Sequence, residues 1–175
     1  NKVVGDWGGH ALTLSILAAY LVDRYDGDIK HLASIPVPTA DEPRYERVHR
    51  LLRRYDEHLT EEEREFLKLF SVFGLPVQES AFEKVFVPLL NKTSEQKSKS
   101  IVARFFGSKT DVRNPNYQVS NILKRLVTYR IIRHDEHEKA YTTHPLIRNH
   151  YFALFTKGNP SQEKAAHEQI KKYYL

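Results

Sequence analysis

The 175-residue sequence contains no cysteine. Disulfides and thiolate metal sites are therefore excluded, and a reducing compartment suits the composition. It also lacks any apolar run near the ~20 residues that a membrane helix needs. The longest such run, Ala11 to Val22, is interrupted by Thr13 and Ser15. No signal-peptide pattern opens the chain, so a cytoplasmic protein with no membrane contact is expected. Methionine is absent and the chain begins at Asn1, which suits a piece of a longer protein. One absence is chemical. No Gly-x-x-x-x-Gly-Lys-Ser/Thr run occurs, and no Asp pair stands on a β-prone run to hold magnesium. No nucleophile–base pair stands out either. The chain is expected to have no catalytic residues and to hydrolyse nothing by itself.

Lys and Arg number 27 against 22 Asp and Glu, a net charge of +5 that permits an anionic partner without demanding one. The length allows one or two small domains, and 41% hydrophobic residues suffice for an ordered core.

Apolar periodicity predicts a mainly α protein. Residues from about His10 to Tyr25 read as a helix apolar nearly all round, and such a helix is normally buried among others. A possible short helix at Ile29–Ser34 leads into a connector with Pro36, Pro38 and Pro43, a natural boundary. Val48, Leu51, Leu52, Tyr55 and Leu59 then recur at helical spacing. Thr60-Glu-Glu-Glu63 is a capping box that opens a helix with Phe66, Leu67, Leu69 and Phe70 inward, ending at Gly74. A helix around Glu79–Leu90 follows, then a polar stretch over 91–116 holding a short helix near Val102–Phe106. Tyr117–Tyr129 predicts another helix, and two β-prone runs around Asp135–Lys139 predict a hairpin. Helices over Pro145–Phe155 and from Ser161 to Tyr174, capped by Ser161, close the chain. Helices followed by a hairpin over residues 60–143 make the order of a winged helix.

The run Tyr141-Thr-Thr-His-Pro-Leu-Ile-Arg-Asn-His-Tyr151 holds the sharpest local signal. A strand delivers His144 to the point where Pro145 starts a helix, because proline's missing N–H costs nothing at the first helical position. An imidazole there either caps and fills the corner or is aimed outward, beside a helix N-terminus that favours anions.

Three stretches together resemble the middle of a STAND signalling ATPase of the NB-ARC or NACHT type. Gly8-Gly-His-Ala-Leu-Thr-Leu14 is similar to the motif that opens a helix of that family's small helical domain, with Ala11 where proline is usual. Leu59 to Phe73 resembles the first winged-helix segment, and Tyr141–Tyr151 the histidine motif that ends the wing. The resemblance implies a helical domain over 1–40, a winged-helix domain over 41–155 and the start of a tetratricopeptide-like helical array over 156–175. It implies ADP or ATP bound mainly by an upstream P-loop domain, with His144 on the β-phosphate and Gly9, His10 and Leu12 near the adenine. The implied role is a regulatory lid that opens on nucleotide exchange. Its partners would be that P-loop domain and a downstream repeat domain, with self-assembly on activation.

A second reading is a DNA-binding winged-helix regulator. Gln118, Asn121, Lys124 and Arg125 occupy the recognition helix, and Arg130, Arg133 and Lys139 lie nearby in sequence. Acidic residues on the wing and the small net charge count against it. His134-Asp-Glu-His137-Glu has the composition of a zinc site, but reads more simply as a charged hairpin tip, and no metal is assigned. Arg47, Arg50, Arg53 and Arg54 read as a solvated helix face, and the phenylalanines Phe66, Phe70, Phe73, Phe82 and Phe86 as core.

Overall fold

The computed structural model describes residues 7, 11–35, 44–86, 115–158 and 160–175. Gly9, His10, the proline connector, the predicted helix near Val102–Phe106 and residues 87–90 lie outside them.

The described residues are mainly helical. Helices α1 (Ala11–Tyr25), α2 (Arg44–Asp56) and α3 (Glu61–Phe70) precede strand β1 (Val77–Gln78). Then come one helical turn at Glu79–Ala81 and a π turn at Phe82–Phe86. Helix α4 (Pro115–Thr128) leads into strands β2 (Ile132–Asp135) and β3 (Ala140–Thr143), and α5 (Pro145–Gly158) and α6 (Pro160–Tyr174) close the chain. The sheet is antiparallel in the order β1–β3–β2, with His134 opposite Tyr141 and Asp135 opposite Ala140 in the hairpin.

Local chemistry explains most element ends. The Thr60 hydroxyl accepts from Glu63 N–H at 3.2 Å while Glu63 Oε2 accepts from Thr60 N–H at 2.9 Å, so the capping box forms as its sequence requires. Helix α1 closes through Asp26, left-handed at φ +53°, which turns the Gly27 N–H back to Leu21 O at 3.0 Å, and Gly27 itself continues the turn at φ +79°. Helix α4 closes on the single left-handed residue Arg130, at φ +59°, with Ile131 N–H bonding Leu126 O at 3.1 Å. In the hairpin, Asp135 Oδ1 accepts from the N–H groups of His137 and Glu138 at 2.9 and 3.0 Å, which fixes the turn.

Several boundaries differ from expectation. Helix α3 stops at Phe70 rather than Gly74, because Ser71 caps it and Val72 and Phe73 turn inward to be buried. Of the predicted helix at 79–90, the described residues form a single turn running into the π turn, over which Phe82, Val85 and Phe86 stay buried. Strand β1 was not anticipated; two residues carry too short an alternation to register as a strand. Helix α6 begins at Pro160, so Ser161 lies inside it.

One cluster of buried side chains runs from Trp7 to Ala166. Phe66, Phe70, Phe73, Phe82 and Phe86 form its aromatic centre, with Phe66 and Phe86 stacked at 5.1 Å and Phe73 and Phe86 at 5.6 Å. Helix α1 contributes Leu12, Ile16, Leu17, Tyr20 and Leu21, but Ala11, Ser15, Ala18 and Val22 on its other side are exposed. The all-round burial expected of α1 is therefore only half met within the described residues. Helix α6 packs back on α5 and on the π turn, and its Tyr173 shares a hydrogen bond of 2.8 Å with Ser80 in the helical turn just before.

Candidate functional site

The corner at His144 is built by its neighbours. On one side the Thr143 hydroxyl donates to Ile131 O at 2.7 Å and ties the end of β3 to the start of the hairpin. On the other, Arg148 N–H bonds His144 O at 2.9 Å, which makes His144 the N-cap of α5. Its Nδ1 accepts from Leu146 N–H at 3.2 Å, the side-chain half of the same cap. With Nδ1 used as an acceptor, the neutral ring carries its proton on Nε2. The imidazole is half-buried. The helix is anchored as well, because Arg148 Nε donates to Ser71 O at 2.9 Å and its guanidinium lies over Phe152. The corner thus presents a capped, tautomer-fixed histidine on a helix tied to α3.

A second polar cluster locks α5 to α2, and residue types alone did not disclose it. Tyr151 donates to Asp56 Oδ1 at 2.9 Å, and His150 Nε2 lies 3.1 Å from Asp56 Oδ2. His150 Nδ1 in turn lies 3.1 Å from His49 Nδ1. Arg64 of α3 donates to the backbone oxygens of Asp56 and Leu59 at 2.9 and 3.1 Å. Burial, reinforced by the Asp56 carboxylate, pushes the Tyr151 phenol well above its ordinary range. One sequence signal was available. Asp56 ends a helix whose last turn carries Arg53 and Arg54, and an acid there opposes the helix dipole. A residue so placed is needed elsewhere.

The remaining candidates fall as follows. Leu12 is buried in the core, whereas Gly9 and His10 lie outside the described residues. On α4, Lys124 is exposed and Asn121 half-buried, and Gln118 belongs to the helix without a described side chain. Arg125 is engaged within the protein. Its Nη1 lies 3.1 Å from Oε1 of Glu63, off the hydrogen-bonding axis, and its Nη2 donates to Tyr129 OH at 2.9 Å. That phenol bond and the nearby Glu63 carboxylate raise the guanidinium above its ordinary value. At the hairpin, the His134 ring stacks on Tyr141 at 4.4 Å and Asp135 is occupied by the turn. Among the described residues no group of three or more His, Asp or Glu converges as a metal site. No helix there is long and apolar enough to cross a membrane.

A groove of about 670 Å³ runs between α1 and the end of α4, lined by Ser15, Ala18, Ala19, Val22 and Val127, with Asp23 and Arg130 among its polar residues. It takes in the part of α1 that the core leaves uncovered.

No protein-family model matches the chain, and no curated protein is significantly similar to it in sequence.

Proposed function

We propose that the chain is the regulatory winged-helix segment of a STAND-type nucleotide switch. It closes over ADP held by an upstream P-loop domain, with His144 donating from Nε2 to the β-phosphate, and it opens on nucleotide exchange. The observation that carries this reading is the cap at His144. Acceptance at Nδ1 leaves Nε2 as the protonated nitrogen, so the ring is a donor, as a diphosphate oxygen requires. The order of the three resembling stretches supports the same assignment, and the helix N-terminus beside the ring favours an anion. The switch works as a two-state element whose equilibrium the nucleotide biases.

The chain carries no P-loop, so it acts as lid and lever, and hydrolysis belongs to the upstream domain. The DNA-binding alternative is weaker, because Arg125 is engaged by Glu63 and Tyr129 rather than offered to a groove. The exposed side of α1 is available to the nucleotide-binding domain, and the repeat array would follow α6. Purifying the parent protein with and without His144→Ala and measuring bound ADP tests the reading. Loss of most of the nucleotide in the variant is expected; equal content refutes it.

A further inference from the structure

We propose that α6 is a strap that lifts off the fold as one unit, with Tyr173 as the latch that holds it to the π turn. This inference does not depend on the nucleotide reading.

A single narrow stripe holds α6. Ala166, Ile170 and Tyr173 recur at helical spacing on the side packed against the core, with Ala165 beside them. Of these Ala166 is buried and the others only partly so, whereas Lys164, His167, Glu168, Lys171 and Lys172 are exposed. Helix α5, of similar length, buries Ile147, Tyr151 and Phe155. Hydrophobic stabilisation scales with the apolar area removed from water. Two alanines and two half-covered side chains therefore hold α6 less firmly than three large buried ones hold α5.

The polar contacts differ in kind as well. Helix α5 is fastened by the buried Tyr151 phenol on Asp56 and by Arg148 Nε on Ser71 O. Helix α6 is fastened at Tyr173, whose hydroxyl shares its hydrogen bond with Ser80 and whose ring lies under the Lys84 ammonium at 5.8 Å. Ser80 and Lys84 are both exposed, so water replaces each contact when the latch opens and neither is stranded in the interior.

The backbone is also interrupted between the two helices. Helix α5 ends at Gly158 and α6 begins at Pro160, whose nitrogen has no hydrogen with which to extend the α5 ladder. A break in the ladder, little buried area and exposed anchors mark a segment that opens locally, well short of global unfolding. Lifting α6 uncovers its stripe together with Ser80 and Lys84. The corner is spared, because His144 caps the opposite end of α5, which stays locked to α2 and α3.

Native-state hydrogen exchange of the chain, read amide by amide for wild type, Tyr173→Phe and Tyr173→Ala, tests this. In wild type the α6 amides from Ala165 to Tyr173 are expected to exchange together, at least about a hundredfold faster than those of α5 around Tyr151. Tyr173→Ala should speed α6 about tenfold further and leave α5 unchanged, the size expected for losing one exposed hydrogen bond and one cation–π contact. Tyr173→Phe keeps the ring under Lys84 and should speed α6 less. A common rate for α5 and α6 in wild type overturns the strap. So does a Tyr173→Ala protein in which α5 is accelerated as much as α6, in which only the last turn is accelerated, or in which α6 is unchanged.

Discussion

The Tyr151 hydroxyl donates to Asp56 Oδ1 at 2.9 Å across 95 residues of sequence, fastening the helix that follows His144 to the end of α2. The phenol is fully buried and the carboxylate also faces His150, so removing the acid leaves a buried donor without its acceptor. Asp56→Ala is expected to destabilise the chain by at least about 2 kcal/mol, since an unmet buried polar group costs ~1–3 kcal/mol. Asp56→Asn keeps an acceptor for Tyr151 and costs less. Urea midpoints for the two variants check the ranking, and equal losses would show that the phenol bond is not what matters.

Alkali acts on the same contact. Burial is the first cause that raises the phenols of Tyr151 and Tyr55, so the folded protein keeps their protons where an unfolded chain releases them. Stability is therefore full below the ordinary tyrosine value of 10.0 and falls as pH rises beyond it. Tyrosinate absorbance followed together with helical circular dichroism should show these two phenols ionising only as the helices melt. Their ionisation in a still-folded protein would contradict their placement.

The Glu63–Arg125 pair gives a different kind of expectation. Glu63 is 1% exposed but the Arg125 side chain is 49% exposed, so solvent screening discounts the pair and Arg125→Ala should cost only about 1 kcal/mol. The same substitution bears on nucleic acid. Duplex DNA titrated at two salt concentrations is expected to show no salt-dependent binding, with wild type or variant. Binding that weakens with salt and is lost in Arg125→Ala would restore the DNA reading.

Arg130 holds φ +59° where α4 closes, a conformation that costs a side-chain residue ~1–2 kcal/mol. Arg130→Gly relieves that strain but frees the unfolded chain, so the net expectation is a gain of up to about 1 kcal/mol. A lower melting temperature would mean that the guanidinium contributes more than the backbone loses.

Short-range chemistry was the legible part of this fold. The capping box, the helix-spaced leucines of α2, the hairpin and the proline after His144 each depend on neighbours within a few residues, and each formed. The exposed side of α1 was not legible, because apolar composition does not say which face finds a partner. The π turn at Phe82–Phe86 escaped because its phenylalanines have helical spacing whether the turn is α or π. The corner histidine was visible and its position held, but its cap through Leu146 N–H is a matter of ring orientation. The Asp56, His150 and His49 cluster joins positions about a hundred residues apart, and only the misplaced acid at the end of α2 hinted at it.

A stability effect and a ligand effect at His144 must be kept apart, because losing an N-cap alone costs ~0.5–2 kcal/mol. Asparagine separates them. In His144→Asn the side-chain oxygen still accepts from Leu146 N–H, but the imidazole Nε2 donor is gone. The measurement is the ADP carried by the parent protein purified with this substitution, alongside its melting temperature. A protein that melts as wild type yet holds ADP about tenfold more weakly, as expected for one lost hydrogen bond to a phosphate, is the predicted result. Unchanged ADP in a stable His144→Asn protein would contradict it and leave His144 as a helix cap alone.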